Sequence, residues 1–301
     1  MVATGKGNGL TSKRLDDTDW ELLLNRIKEG KCTPFLGAGA CDGVLPLGSD
    51  IAREWAKKYA YPLTDTHDLA RVAQFLAVTI DPMFPKEQIR KRFAGLGPPE
   101  FDEGGEPHGI LAELPLPVYI TTNYDDFMIR ALQNKGKVPR RELCRWNSKL
   151  RNQESVFSTD YSPNDTNPVV FHLHGHTEVD ESLVLTQDDY LDFLVNVSRD
   201  GTLLPPRIQR SMTGSSLLFI GYGMEDWSFR VLFRGLVSST EASLRRVSLT
   251  VQLPRAGDSA ASAQAYLSQY FGKMDVRVYW GTARGFLAEL HERWRKFLSD
   301  T

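Results

Sequence analysis

The order of apolar and polar positions divides the chain into alternating helical and strand-like stretches. Trp20, Leu23, Leu24 and Ile27 recur at i, i+3, i+4, i+7, which predicts an amphipathic helix. Thr18-Asp19-Trp20-Glu21 before them reads as a capping box, and Gly30 as the stop. The short apolar run Cys32–Leu36 predicts a strand ending in a glycine turn. From about 49 to 114 the pattern is helical: Ile51, Trp55 and Tyr59 share one face, and Leu69, Val72, Ala73 and Leu76 another. Pro82, Pro85, Pro98-Pro99 and Gly104-Gly105 break this region into short pieces, so it reads as a helical module inserted into a sheet domain.

Further strands are predicted at 118–122, 168–173, 183–186, 215–220, 246–252 and 276–280. Helices are predicted from about Asp125 to Gln133, from near Gln187, and at 202–212, 226–238 and 259–271. The last helix carries Phe286, Leu290, Trp294 and Phe297 on one face. Strands that alternate with helices indicate an α/β fold with a mostly parallel sheet covered on both faces. Residues 135–166 are polar, basic and irregular and read as an excursion or flap. Residues 1–14 lack periodicity and read as a flexible tail, leaving 15–301 as the domain.

Composition narrows the classes further. The 301 residues are 41% hydrophobic and 25% charged, with a formal net charge of −2. Such a chain has no global field to attract nucleic acid or an anionic membrane, and direct nucleic-acid binding is not expected. A local basic patch, Arg140-Arg141 with Lys149 and Arg151, does not change that balance. No run is long enough to span a membrane, and the amino terminus lacks a signal-peptide core. The three cysteines, Cys32, Cys41 and Cys144, form no C-x-x-C pair, so no zinc ribbon or disulfide framework is expected and a reducing, cytoplasmic setting fits.

Chemistry concentrates where three strands end. Gly37-Ala38-Gly39 follows the first strand, where backbone amides can face a phosphate, or where a tight βα turn is needed with no ligand at all. The third glycine of a G-x-G-x-x-G fingerprint is missing, because Asp42 stands in its place. Asn123 ends the next strand and either caps the following helix or offers an uncharged amide to a ligand. His174 closes a third apolar run, Val169–Leu173, among three of the six histidines: His172, His174 and His176. Alternation sends His172 and His174 to one face, a spacing that zinc also uses, but no cysteine or carboxylate stands in register. His172 therefore reads as a hydrogen-bonded histidine, His176 as a loop residue and Cys41 as a small packing residue, and no metal site is expected.

Together these motifs resemble the SIR2-like, or sirtuin, superfamily. The matches, in order, are Gly37-Ala38-Gly39 with Leu45-Pro46, Thr121-Thr122-Asn123-Tyr124-Asp125, His174-Gly175, Asp189-Tyr190 and Gly221-Tyr222-Gly223-Met224-Glu225-Asp226. The wording is most similar to a bacterial branch whose members cleave NAD⁺ as effectors of anti-phage defence. Two departures stand out: Cys41 where serine is usual, and Leu47 where aspartate or tryptophan is expected after the proline. The absence of the paired C-x-x-C zinc module argues against protein deacylation.

The resemblance implies a Rossmann-like fold and a NAD⁺ glycohydrolase yielding ADP-ribose and nicotinamide, with NAD⁺ as substrate and no cofactor. In that reading Asn123 orients the ribose hydroxyls and the water, and His174 is the base. Asp125 helps fix the nicotinamide ribose, the loop Gly37, Ala38 and Gly39 holds the pyrophosphate, and Pro46 and Thr122 belong to the NAD⁺ site as well. Gly221, Tyr222 and Gly223 lie toward the adenosine. Gating by homo-oligomerisation or by an ATPase/helicase-type or Argonaute-like partner is implied as well. The alternatives are a NAD-dependent protein deacylase and a non-catalytic subunit that binds NAD or ADP-ribose.

Overall fold

The computed structural model describes residues 15–223, 247–253 and 260–300. The predicted tail at 1–14, the helix at 226–238 and positions 224–226 of the late glycine motif lie outside the described residues.

Among the described residues, seven parallel strands form one sheet in the order β3-β4-β2-β1-β5-β6-β7. They are β1 (Cys32–Leu36), β2 (Val118–Thr121), β3 (Arg140–Leu143), β4 (Val169–His172), β5 (Ser216–Ile220), β6 (Ser248–Gln252) and β7 (Val276–Trp280). β1, β2, β4 and β5 are buried and largely apolar because both sheet faces are covered. On one face lie α1 (Asp17–Lys28), α5 (Pro107–Glu113), α6 (Phe127–Asn134) and α10 (Ala283–Ser299), packed through Trp20, Leu111, Leu132 and Phe286. On the other lie α7 (Gln187–Arg199), α8 (Pro206–Gly214) and α9 (Ala260–Gly272), packed through Phe193, Ile208 and Phe271.

The inserted module is α2 (Gly48–Lys58), α3 (Leu69–Thr79) and α4 (Phe84–Ala94), with a small core of its own around Trp55, Val72, Leu76 and Ile89. α5 belongs instead to the sheet core, through Ile110, Leu111 and Leu114, so the module's own packing ends before residue 107. The module is joined to the sheet domain by a nearly buried ion pair, Lys86 Nζ to Asp189 Oδ1 at 2.8 Å. Asp189 also closes the capping box of α7 with Thr186 and accepts the Leu185 amide.

Four local expectations are corrected. α1 is capped by Asp16, whose carboxylate accepts the Asp19 amide at 2.9 Å, rather than by Thr18. An anionic acceptor two residues upstream outcompetes a hydroxyl at the positive end of the helix. Residues 183–186 are buried but do not pair as a strand; the Val184 amide donates to the His174 carbonyl and the segment packs on the helical module. A short apolar run reports burial, and pairing needs a neighbour. The excursion at 135–166 contains β3, an edge strand whose three charged residues, Arg140, Arg141 and Glu142, leave no apolar run to read. That excursion is anchored by the buried Glu142, which accepts from Ser155 Oγ at 2.8 Å and the Val156 amide at 2.9 Å and pairs with Arg145. The helix expected at 202–212 begins at Pro206 after a 3₁₀ turn at Gly201–Leu203, since Pro205-Pro206 suits an entry and not an interior.

The chain leaves β1 toward β2 on one side and later returns to β5 on the other. The carboxyl ends of β1 and β5 therefore flank the point where strand order reverses, the place where open α/β sheets take ligands.

Candidate active site

At that edge lies a cavity of about 1370 Å³. Thr122, Asn123 and Asp125 after β2, His174 after β4, and Gly221, Tyr222 and Gly223 after β5 line it. Ala38, Gly39 and Pro46 after β1 complete the wall, and Gly37 stands just behind. The residues singled out in the sequence thus gather from four strands at one site. Leu47, Leu69 and Phe93 bring the helical module to the cavity, and Gln252 and Trp280 extend it past β6 and β7.

The two glycine motifs meet each other. The Gly37 amide donates to the Ile220 carbonyl at 2.9 Å, the Gly39 amide to Gly221 at 3.0 Å, and the Ala40 amide to Gly37 at 2.9 Å. Two of the loop amides expected to await a phosphate, those of Gly37 and Gly39, are thus engaged within the protein. The glycines are required by this close approach: a Cβ on Gly221 would stand 2.3 Å from the Ala40 nitrogen, and its φ of +80° suits only glycine. A Cβ on Gly37 would stand 2.8 Å from the Gly221 carbonyl oxygen. Tyr222 ties the same edge together, its hydroxyl donating to the Leu36 carbonyl at 2.7 Å and lying 2.8 Å from Thr122 Oγ1.

Asn123 does not cap α6. Its Nδ2 donates to the Gly37 carbonyl at 3.1 Å and to Cys41 Sγ at 3.3 Å, which leaves Oδ1 as its acceptor for a ligand. Because the Gly37 carbonyl can only accept, the amide's orientation follows from the network. Asp125 takes the turn role instead, Oδ1 accepting the Phe127 amide at 2.9 Å.

The histidines part company. β4 ends at His172, and Gly175, at φ +89°, turns the chain. The expected common face for His172 and His174 is therefore lost. His172 packs its ring on His176 at 4.9 Å, with Nδ1 3.3 Å from the Asn123 carbonyl oxygen. His174 sits edge-on to Tyr190 at 5.4 Å and Phe193 at 5.1 Å. Its Nε2 is buried and has no hydrogen-bond partner among the described residues. Burial lowers the His174 pKa to about 3, so the ring is neutral at physiological pH. His176, also buried, is lowered to about 4 and accepts the Glu178 amide on Nδ1.

Two functional candidates escape sequence reasoning. Glu106 and His108, both almost fully buried, face each other with Oε1 to Nδ1 at 2.8 Å. His108 Nε2 in turn lies 3.9 Å from Cys41 Sγ, and that thiol donates to Asp125 Oδ2 at 3.4 Å. Cys41 is thus part of a polar cluster and not only packing. Burial and the neighbouring Asp125 push its thiol pKa up, and burial also raises that of Asp125. Burial pushes Glu106 upward too, but bonds from His108 and the Gly109 amide hold it below the usual carboxylate range. The only sequence signal was an acidic residue, a proline and a histidine at a helix start.

Known proteins resemble this chain in sequence. The chain is 28% identical over 218 residues to the NAD(+) hydrolase ThsA of Cytobacillus dafuensis, covering 69% of this chain and 39% of that protein. It is 28% identical over 214 residues to the NAD(+) hydrolase ThsA of Acinetobacter baumannii (strain 532279), covering 68% and 39%. The chain thus spans about two fifths of the length of these relatives. A solved structure described as "Structural Basis for the Mechanism and Regulation of Sir2 Enzymes" aligns over 94% of this chain and 100% of its own with a TM-score of 0.39 at 11% identity, too weak a likeness to add to the assignment. Residues 117–274, more than half of the chain, match the family model of the SIR2-like domain, and the chain belongs to that family.

Proposed function

We propose that this chain is a NAD⁺ glycohydrolase that converts NAD⁺ and water to ADP-ribose and nicotinamide. The observation that carries the reading is the convergence of Asn123 and His174, from separate strands, on one cavity. Its volume exceeds the roughly 300–1,000 Å³ of ordinary small-molecule pockets, as a dinucleotide requires. The relatives named NAD(+) hydrolase support the same substrate.

The chemistry asks little of the protein. Nicotinamide leaves as a neutral base from a cationic ribosyl linkage, so no general acid is needed, unlike in ordinary glycosidases. The C1′–N bond breaks, an oxocarbenium-like centre develops, and a water oxygen bonds to C1′ while its proton passes to a base. His174 is the base, with its neutral ring and unpartnered Nε2. An electrophile this strong tolerates a weak base. Asn123 Oδ1 accepts from a ribose hydroxyl or the water, and the Asp125 carboxylate faces the developing positive charge. The rim formed by Ala38, Gly39 and Pro46 meets the pyrophosphate, with Gly37 bracing it from behind, and Gly221, Tyr222 and Gly223 lie toward the adenosine.

We further read the protein as a cytoplasmic effector of anti-phage defence, held inactive until homo-oligomerisation or a partner of ATPase/helicase or Argonaute-like type releases it. This extension rests on the family resemblance; none of the helices among the described residues is long and apolar enough to cross a membrane. Chromatography of NAD⁺ incubated with the purified protein, alone and with the product of a neighbouring gene, tests the reading. Matched release of nicotinamide and ADP-ribose is expected. Acetyl-lysine peptide turnover without free ADP-ribose would indicate a deacylase instead.

A further inference from the structure

Beside the NAD⁺ reading, the cluster behind Asn123 has a chemistry of its own. Cys41 Sγ, His108 Nε2 and a carboxylate oxygen of Asp125 all lie within 4.8 Å of one another, on three buried residues. A thiolate, an imidazole and a carboxylate are the three donor types that zinc takes in proteins. With Zn–S about 2.3 Å and Zn–N about 2.0 Å, a tetrahedral ion sets sulfur and nitrogen about 3.5 Å apart. The Sγ to Nε2 separation of 3.9 Å and the Sγ to Oδ2 separation of 3.4 Å bracket that value.

The supporting groups are also those of a metal site. Glu106 Oε1 binds His108 Nδ1 at 2.8 Å, which puts the proton on Nδ1 and turns the Nε2 lone pair toward the cluster. This is the carboxylate–histidine–metal arrangement. The Phe127 amide holds Asp125 Oδ1, leaving Oδ2 to point at the sulfur. Asn123 Nδ2 donates to Sγ at 3.3 Å, a bond that favours thiolate. Cys41 and Asp125 both line the cavity, so a fourth position opens toward it.

We propose that Cys41, His108 and Asp125 form an inhibitory binding site for a thiophilic divalent cation, zinc first. Binding exchanges the thiol proton for the metal: the S–H bond breaks, the proton goes to solvent, and sulfur, Nε2 and Oδ2 each donate a pair to Zn²⁺. The bound ion occupies Asp125 and competes for the Asn123 contact, so catalysis stops; this second half rests on the glycohydrolase reading, whereas binding does not.

The test uses the full chain, reduced and metal-free. Titration with Zn²⁺ followed by calorimetry should show saturable one-to-one binding. Co²⁺ should give a near-ultraviolet thiolate-to-cobalt band that Cys41→Ser abolishes. Glu106→Gln, which loosens the imidazole's support, should weaken Zn²⁺ binding about 10–100-fold. Circular dichroism checks each variant; if one fails to fold, the other variant and the wild-type cobalt band still decide. No saturable binding to the folded wild type, or a band that survives Cys41→Ser, overturns the site. NAD⁺ turnover should fall with added Zn²⁺ and return with EDTA; turnover unaffected by bound zinc overturns the inhibitory role. A protein that binds zinc and never hydrolyses NAD⁺ in any setting instead removes the glycohydrolase reading and leaves the site.

Discussion

Asn123 donates its side-chain amide to the carbonyl of Gly37 at 3.1 Å, so the residue that ends β2 is held by the turn that ends β1. The glycine turn acts here as an orienting brace, itself locked by Gly221 from β5. Reactive groups fixed in this way need no reorganisation when substrate arrives.

Removal of the two catalytic candidates should therefore be costly and non-additive. His174→Ala is expected to lower kcat by about 10²–10⁴, the range of a positioned general base. Asn123→Ala should lose as much or more, because orientation is worth several kcal/mol. The double variant should be barely worse than either single one, since both serve one step. Single-turnover NAD⁺ cleavage on variants with native circular dichroism measures all three; full additivity would refute a shared step.

The rate should also ignore the usual histidine titration. A base must be unprotonated, and burial keeps His174 so down to about pH 3. A kcat/KM profile between pH 5.5 and 8 should be flat for this group, whereas a solvent-exposed histidine would lose rate below about 6.5.

Stability should nonetheless fall in acid. His172, His174 and His176 are buried neutral, with pKa values lowered, to about 3 for His174 and about 4 for His176. Between the unfolded value near 6.5 and those folded values the unfolded chain binds more protons, so stability is full above about 6.5 and drops as pH falls. Each group contributes a slope of about 1.4 kcal/mol per pH unit within its window. Thermal unfolding from pH 8 to 4 should trace this, and His176→Gln should flatten it.

Glycine substitutions should separate packing from conformation. Gly221→Ala combines φ +80° with a 2.3 Å overlap on backbone and should cost about 2–4 kcal/mol. Gly43→Ala has a similar φ of +82° but open space around it, and should cost only about 1–2 kcal/mol. Denaturant midpoints compare them directly.

The Lys86–Asp189 pair offers a test of how the module is fastened. Lys86→Met leaves a nearly buried carboxylate without its cation and should destabilise by about 3 kcal/mol. Hydrogen exchange should rise first in α4 and at the start of α7.

Much of this protein is legible in one dimension. Burial on both faces makes parallel strands continuous apolar runs, so β1, β2, β4 and β5 announce themselves, and their order alternating with helices implies the sheet. Gly37, Asn123, His174 and Gly221 could be read as a group because parallel strands all deliver their ends to one edge. Tertiary structure alone decided what those residues touch. That Asn123 braces on Gly37 and does not cap α6, and that the Gly37 and Gly39 amides are consumed by the β5 end, depends on β1 lying between β2 and β5. The sequence keeps those segments more than 80 residues apart. Glu106 and His108 carry no period and no motif spacing; only the packing of α5 under the sheet edge brings them to Cys41 and Asp125. Edge strand β3 escaped notice for the converse reason: Arg140, Arg141 and Glu142 give it no apolar run, and only the tertiary structure supplies Ser155, Val156 and Arg145 to satisfy the buried Glu142.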